Sequence, residues 1–290
     1  MKPLTICYFS AHSVEIPSLS AGVRQYEKQV GRIRVIARTG SQLFDEARVR
    51  AFVREALAAD VVLITLHGGK ESCPAFAALV AALQEQKDRE QKGPYFHIQP
   101  VGSDEDAVMA AREHADGFGS ERWDTLNRYL VHGGRVNLRN MLVYLYNLRF
   151  HAAIPCDPPQ SLPQEGIYHP DFMGVPDLEE YLEKKCDPAR ITVGIWFYQT
   201  YWLNDNLAHI DAMIREIERQ GANVICVFHL RYKDAERGNR GADYIVDHFF
   251  MKEGRPRIDV LINSMMFSLT LAAPEYRDLL PRLDVPFIQA

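Results

Sequence analysis

Val61-Val62-Leu63-Ile64-Thr65-Leu66, followed by His67-Gly68-Gly69, decides the fold. Six consecutive β-branched and aliphatic residues make a strand covered on both faces, as in a parallel sheet; a half-exposed strand would alternate. Upstream, Phe44 to Ala59 puts Val49, Phe52, Val53 and Ala56 at helical spacing, with Asp45 and Glu46 at the end the helix dipole favours. Leu4 to Phe9 and Ile33 to Ala37 read as earlier strands. Downstream, helices are expected over Ala75–Gln86, Asp104–Ala115, Glu121–Val131 and Val136–Arg149, with a strand at Tyr95–Pro100. The charge run from Glu85 to Lys92 reads as a solvated helix end.

Prolines at 155, 158, 159, 163, 170 and 176 break this rhythm. They predict a long connection over 152–190, without regular ladders and with a short helix near Leu178–Lys184. Strand and helix alternation then resumes. Strands are expected at Ile191–Tyr198, Asn223–Phe228, Arg257–Asn263 and Val285–Ile288, and helices at Asn206–Arg219 and Gly241–Phe249. Asn204 or Asp205 can cap the helix at Asn206, and Gly221 fits just past its end. The expectation is an α/β protein of two lobes, 1–151 and 191–290, with mainly parallel, flavodoxin-like sheets flanked by helices. The chain stops directly after a strand, which predicts a second lobe truncated at its C-terminal end.

Composition narrows the function. The 290 residues are 47% hydrophobic and 24% charged, and the net charge of −5 argues against a dedicated nucleic-acid binder. The longest apolar stretch, Val260 to Ala273, holds Asn263 and Ser264 and is too short to span a bilayer. The N-terminal apolar stretch is too short for a secretory signal. Cysteines 7, 73, 156, 186 and 226 are odd in number and form no CxxC pair, as expected of reduced thiols in the cytoplasm.

Ligands of open parallel sheets bind beyond the C-terminal ends of the strands. His67-Gly68-Gly69 stands at such an end and reads either as a tight turn or as a close backbone approach to a ligand. Tyr198-Gln199-Thr200-Tyr201-Trp202-Leu203-Asn204-Asp205-Asn206 joins a strand to a helix. Tyr198, Tyr201 and Trp202 can cover a flat apolar ligand such as a tetrapyrrole, Asn206 and the backbone N–H groups at the helix start can hold a carboxylate, and Asn204 is a further binding candidate. Inter-lobe packing and an ordinary cap explain the same residues equally well. His209 lies in the first turn of that helix, facing the strand ends or capping. His169 and Asp171 read as a ligating or proton-transfer pair, or as a proline-braced turn. His229 and His248 adjoin apolar runs and read as structural or exposed. GxGxxG after a strand, GxxxxGK[ST], GxSxG and HExxH are all missing, which weighs against Rossmann, P-loop, α/β-hydrolase and zincin sites.

Gly166-Ile167-Tyr168-His169-Pro170-Asp171 resembles a pattern in the large subunits of cobaltochelatase (CobN-type) and magnesium chelatase (H-type). So do Val193–Tyr198, Trp202-Leu203-Asn204, His209–Ile214 and Ile217–Val224, then Asp259–Asn263 and Leu283–Ala290. These pieces run in family order over about residues 165–290. The resemblance implies a chain that takes part in inserting Co2+ or Mg2+, as substrate, into a corrinoid or porphyrin ring. It implies ATP use by separate AAA+ partner subunits, joined by a bridging subunit. It covers only the N-terminal portion of the longer family members, so the chain is expected to need the remainder of that polypeptide, and no catalytic residue carries over. Two rival readings stay open. One is a two-lobed small-ligand module hinged through 152–190, and the other is a subunit-docking head.

Overall fold

A computed structural model describes residues 2–11, 13–89, 92–101, 105–114, 119–230, 233–235, 237–265 and 278–290. The chain divides into two compact units, Met1–Gln160 and Ser161–Ala290. Asp104, Ala115, residues 90–91 and the end of the apolar stretch at 266–273 lie outside the described residues.

The first unit is built on four strands, β1 (Leu4–Ser10), β2 (Ile33–Thr39), β3 (Val61–Leu66) and β4 (Tyr95–Pro100). They form a parallel sheet in the order β2-β1-β3-β4. All of β3 is buried, as its unbroken apolar run requires. Alternate residues feed two cores. Cys7, Phe9, Val62 and Ile64 pack with Phe52 and Ala56 of α2 (Glu46–Leu57) and with Phe76 and Leu79 of α3 (Phe76–Asp88). Leu4, Ile6, Val61 and Leu63 face α1 (Ile16–Gln29), α5 (Gly119–His132) and α6 (Gly134–Phe150). Between these helix pairs, α4 (Glu105–His114) adds Ala107, Ala110 and Ala111 to the first core. Helix α1 was not expected from the sequence. It crosses α6 at Gly22, where an added Cβ would stand 3.0 Å from the backbone nitrogen of Arg139.

The second unit repeats the arrangement with β6 (Thr192–Tyr198), β7 (Asn223–His229), β10 (Val260–Asn263) and β11 (Phe287–Gln289), parallel in the order β11-β10-β6-β7. Both units therefore carry the flavodoxin-like second-first-third-fourth order. One strand departs from the expectation. Inside the proline-rich stretch, β5 (Glu165–Ile167) pairs antiparallel with the outer edge of β7. Three residues between Pro163 and Pro170 suffice for an edge strand, where a missing N–H does no harm. The strand expected from Arg257 starts only at Val260, because Arg255–Pro256 (β9) folds back on Met251–Lys252 (β8).

One face of this sheet carries Trp196, Ile225, Val227 and Leu261 against α7 (Leu178–Lys185), α10 (Ala242–Ile245) with its π-turn at Val246–Phe250, and α11 (Leu279–Leu283). The other carries Ile195, Phe197, Cys226 and Phe228 against Ile210 and Ile214 of α9 (Ala208–Arg219). Helix α9 begins at Ala208 with no side-chain cap. The expected caps are engaged elsewhere, because Gln199–Leu203 already forms a short helix, α8. Asn204 closes it by donating to Thr200 O, and Asp205 takes a left-handed conformation.

Candidate functional site

The C-terminal edge of the second sheet gathers polar side chains on the face covered by α10. On β6 and β7 the residues pointing to this face are apolar until the last turn of strand, where Tyr198 and His229 follow. The antiparallel pairing of β5 sets Glu165 opposite His229. Glu165 is buried and holds Arg240 twice, through Nε at 2.5 Å and through its backbone N–H at 3.1 Å. The Arg240 guanidinium lies 3.5 Å over the Tyr244 ring, which stacks in turn on His248.

His229 is fully buried. Its Nε2 lies 3.1 Å from Asn239 Oδ1, and Asn239 is fixed by donating to Leu230 O and accepting from Gly241 N–H. With an amide oxygen as partner, Nε2 carries the proton and Nδ1 is left as a lone pair. Burial lowers the His229 pKa to about 4, against the opposing pull of the Asn239 bond and the Asp243 charge. The imidazole is therefore neutral at physiological pH. The Trp196 ring lies 5.9 Å away. Trp196 Nε1, His229 Nδ1 and Asp243 Oδ1 are all buried and make no hydrogen bond among the described residues. One donor and two acceptors are thus left over at one sheet edge, which is rare among buried polar groups. On the neighbouring strand, Asn263 donates to Gln289 Oε1 at 2.8 Å and ties β10 to β11.

The residues expected from sequence fall into two places. Tyr198, Tyr201, Trp202, Asn204, Asn206 and His209 surround α8 in the second unit. Trp202 stacks on Phe228, with centroids 4.4 Å apart and planes at 7°, so one of its faces is already used in packing. Tyr201 meets His209 edge-on at 4.9 Å. Asn206 is exposed and its N–H donates to Tyr201 O. It stands two residues before α9, which begins at Ala208. His67, Gly68 and Gly69 belong to the first unit, where both glycines have φ of 82° and Ser72 Oγ accepts from His67 N–H.

His169 is locked. Its Nε2 donates to Glu218 Oε1 at 3.0 Å and its Nδ1 accepts from Asp171 N–H. Asp171 pairs with Arg215 and Lys185, and these hold its carboxyl below the usual carboxylate range. This is the proline-braced turn, closed by an ion network. Among the described residues no group of three or more His, Cys, Asp or Glu is arranged to hold a metal ion.

Sequence reasoning missed Glu165, Asn239 and Asp243 and read His229 as ordinary. The available signal was a histidine ending a fully buried strand, where the alternation demanded an apolar residue.

Comparison with known proteins places the chain. The CobN/Magnesium Chelatase family model matches residues 127–290, more than half of the chain. An uncharacterised protein of Methanocaldococcus jannaschii is 31% identical over 173 residues, 56% of this chain and 14% of its own length. The H component of magnesium chelatase from Cereibacter sphaeroides is 28% identical over 58% of this chain and 14% of its own length. The matches thus span about one seventh of these relatives. In structure, the catalytic subunit of cobaltochelatase from Mycobacterium tuberculosis superposes with a TM-score of 0.59 at 15% identity, over 100% of this chain and 21% of that one, and shares its fold. Among the described residues no helix is long and apolar enough to cross a membrane. With a family match that covers more than half of its length and runs through the whole second unit, the chain belongs to the CobN/magnesium chelatase family.

Proposed function

We propose that this chain is the macrocycle-holding region of a cytoplasmic, ATP-dependent chelatase that inserts cobalt or magnesium into a tetrapyrrole. The observation that carries this reading is the family match over 127–290, which includes every residue around α8 and the polar edge beneath α10. Tyr201 and the outer side of Trp202 cover the flat ring. The metal is a substrate, and ATP is hydrolysed by AAA+ partner subunits joined through a bridging subunit. No residue of this chain is assigned a step in the insertion itself.

The test is a titration of the purified chain with hydrogenobyrinate diamide and with a porphyrin, followed by tryptophan quenching and ring absorption. Saturable binding that weakens in Trp202→Ala supports the reading. A folded chain that binds neither ring, yet co-purifies with an AAA+ partner, refutes it in favour of a docking head.

A further inference from the structure

The first unit carries a polar edge of its own, largely outside the family match. Strand order reverses between β1 and β3, and such a reversal opens the crevice where doubly wound sheets bind ligands. Three hydroxyls meet there: Tyr8 and Ser10 at the end of β1, and Thr65 at the end of β3. All three side chains are buried. Tyr8 OH donates to Glu15 Oε1 at 2.9 Å, Ser10 Oγ donates to the same oxygen at 2.6 Å, and Thr65 Oγ1 lies 3.1 Å from Tyr8 OH. Glu15 is half-buried, and every partner it has among the described residues is neutral: these hydroxyls and its own backbone N–H. No cation pairs with it among the described residues. It stands at the N-cap position of α1 without a side-chain cap bond, where the helix dipole favours a negative charge, yet burial outweighs this and the hydroxyls and raises its pKa. A carboxylate taken out of water without a counter-charge is costly, and here it stands at the crevice. The His67-Gly68-Gly69 turn leaves the same edge two residues after Thr65. A Cβ at Gly68 would meet nothing within 4 Å.

We propose that the β1/β3 edge of the first unit binds a small ligand bearing a protonated primary amine, with Glu15 as its counter-charge and Tyr8, Ser10 and Thr65 fixing the carboxylate. Isothermal titration of the full chain tests this with putrescine, ethanolamine and L-alanine as probes, and with 1,4-butanediol and succinate as neutral and anionic controls. Saturable millimolar or tighter binding of an amine but of neither control is expected. Preference for putrescine assigns a plain amine, and preference for alanine an amino acid; either supports the site. Glu15→Gln keeps an acceptor for both hydroxyls, so the chain should melt as the parent does while amine affinity drops about tenfold or more. Saturating amine should also lower the Glu15 titration followed by carboxyl carbon NMR, which a purely structural carboxylate would not show. Absence of amine binding by the folded chain overturns the proposal, as does equal binding of butanediol or undiminished binding by Glu15→Gln.

Discussion

Replacing His97 or His229 by Gln should remove acid sensitivity from one unit at a time. Both rings are fully buried, His97 donating to Gln99 and His229 to Asn239. Burial lowers each pKa to about 4, against about 6.5 in the unfolded chain. Between these values the unfolded chain binds a proton that the folded chain refuses, so stability falls as pH falls. From pH 7.5 to 4.5 each histidine costs about 2–3 kcal/mol, a large part of a domain's stability. Other groups act in the same range. His169 and His248 are also lowered by burial and add to the loss in the second unit. Glu15 is raised and acts with the opposite sign, stabilising the first unit as pH falls. Asp171 is held down by Arg215 and Lys185, and its contribution is lost only below the ordinary aspartate range. The difference between variant and parent cancels these terms. Urea unfolding at the two pH values measures it, with the fluorescence of Trp123 beside His97 reporting the first unit and that of Trp196 beside His229 the second. A His229→Gln chain whose second unit loses as much stability as the parent would refute the buried neutral ring.

Three further substitutions test the packing. Gly22→Ala puts a methyl 3.0 Å from Arg139 N and 3.3 Å from Leu138 C; backbone atoms cannot swing aside, so α1 and α6 must part, at about 1–3 kcal/mol in thermal melts. Arg149→Met strands Asp60, whose Oδ1 takes the Arg149 Nε at 3.0 Å and whose Oδ2 takes the Thr5 N–H. The loss should be about 3 kcal/mol, mostly restored by adding Asp60→Asn. Asp177→Ala removes the cap that accepts from the N–H groups of Glu179 and Glu180, and α7 should lose about 1 kcal/mol, read as faster amide exchange in its first turn.

The sequence carried most of the fold wherever one element answers to one physical signal. The run at 61–66 could only be a buried strand, and the spacing of Ile210, Ile214 and Ile217 could only be one helical face. Helix α1 escaped because it packs through Leu19, Gly22 and Tyr26, a stripe in which the central contact is the absence of a side chain. Strand β5 escaped because its pairing lies with β7, some sixty residues on, and its flanking prolines read as breaks. The aromatic cluster after β6 was legible as chemistry, but its division was not. Nothing local says that Trp202 spends one face on Phe228. The polar edge under α10 was illegible for a stronger reason. Glu165 and Arg240 stand 75 positions apart, and no periodicity links them.

The two units place polarity in the same part of their sheets. In the first, Tyr8, Ser10, Thr65 and Gln99 follow apolar residues on their strands; in the second, Tyr198, His229 and Asn263 do. Each set lies at the C-terminal ends of parallel strands, on one face, beneath helices that cover it. Folding alone does not ask for this, since apolar residues there would avoid the desolvation cost of so many polar groups. The two edges differ in how they meet that cost. The first closes its hydroxyls on Glu15, a negative charge with no cation against it among the described residues. The second balances its Glu165 charge with Arg240 and leaves the Trp196 N–H, the His229 Nδ1 lone pair and one Asp243 carboxylate oxygen without a partner among the described residues. An unbalanced charge selects a cation, and a set of unpaired donors and acceptors selects a ligand by hydrogen-bond pattern. The same architecture thus offers two sites of different preference, and binding measured at one should leave the other's variants unaffected.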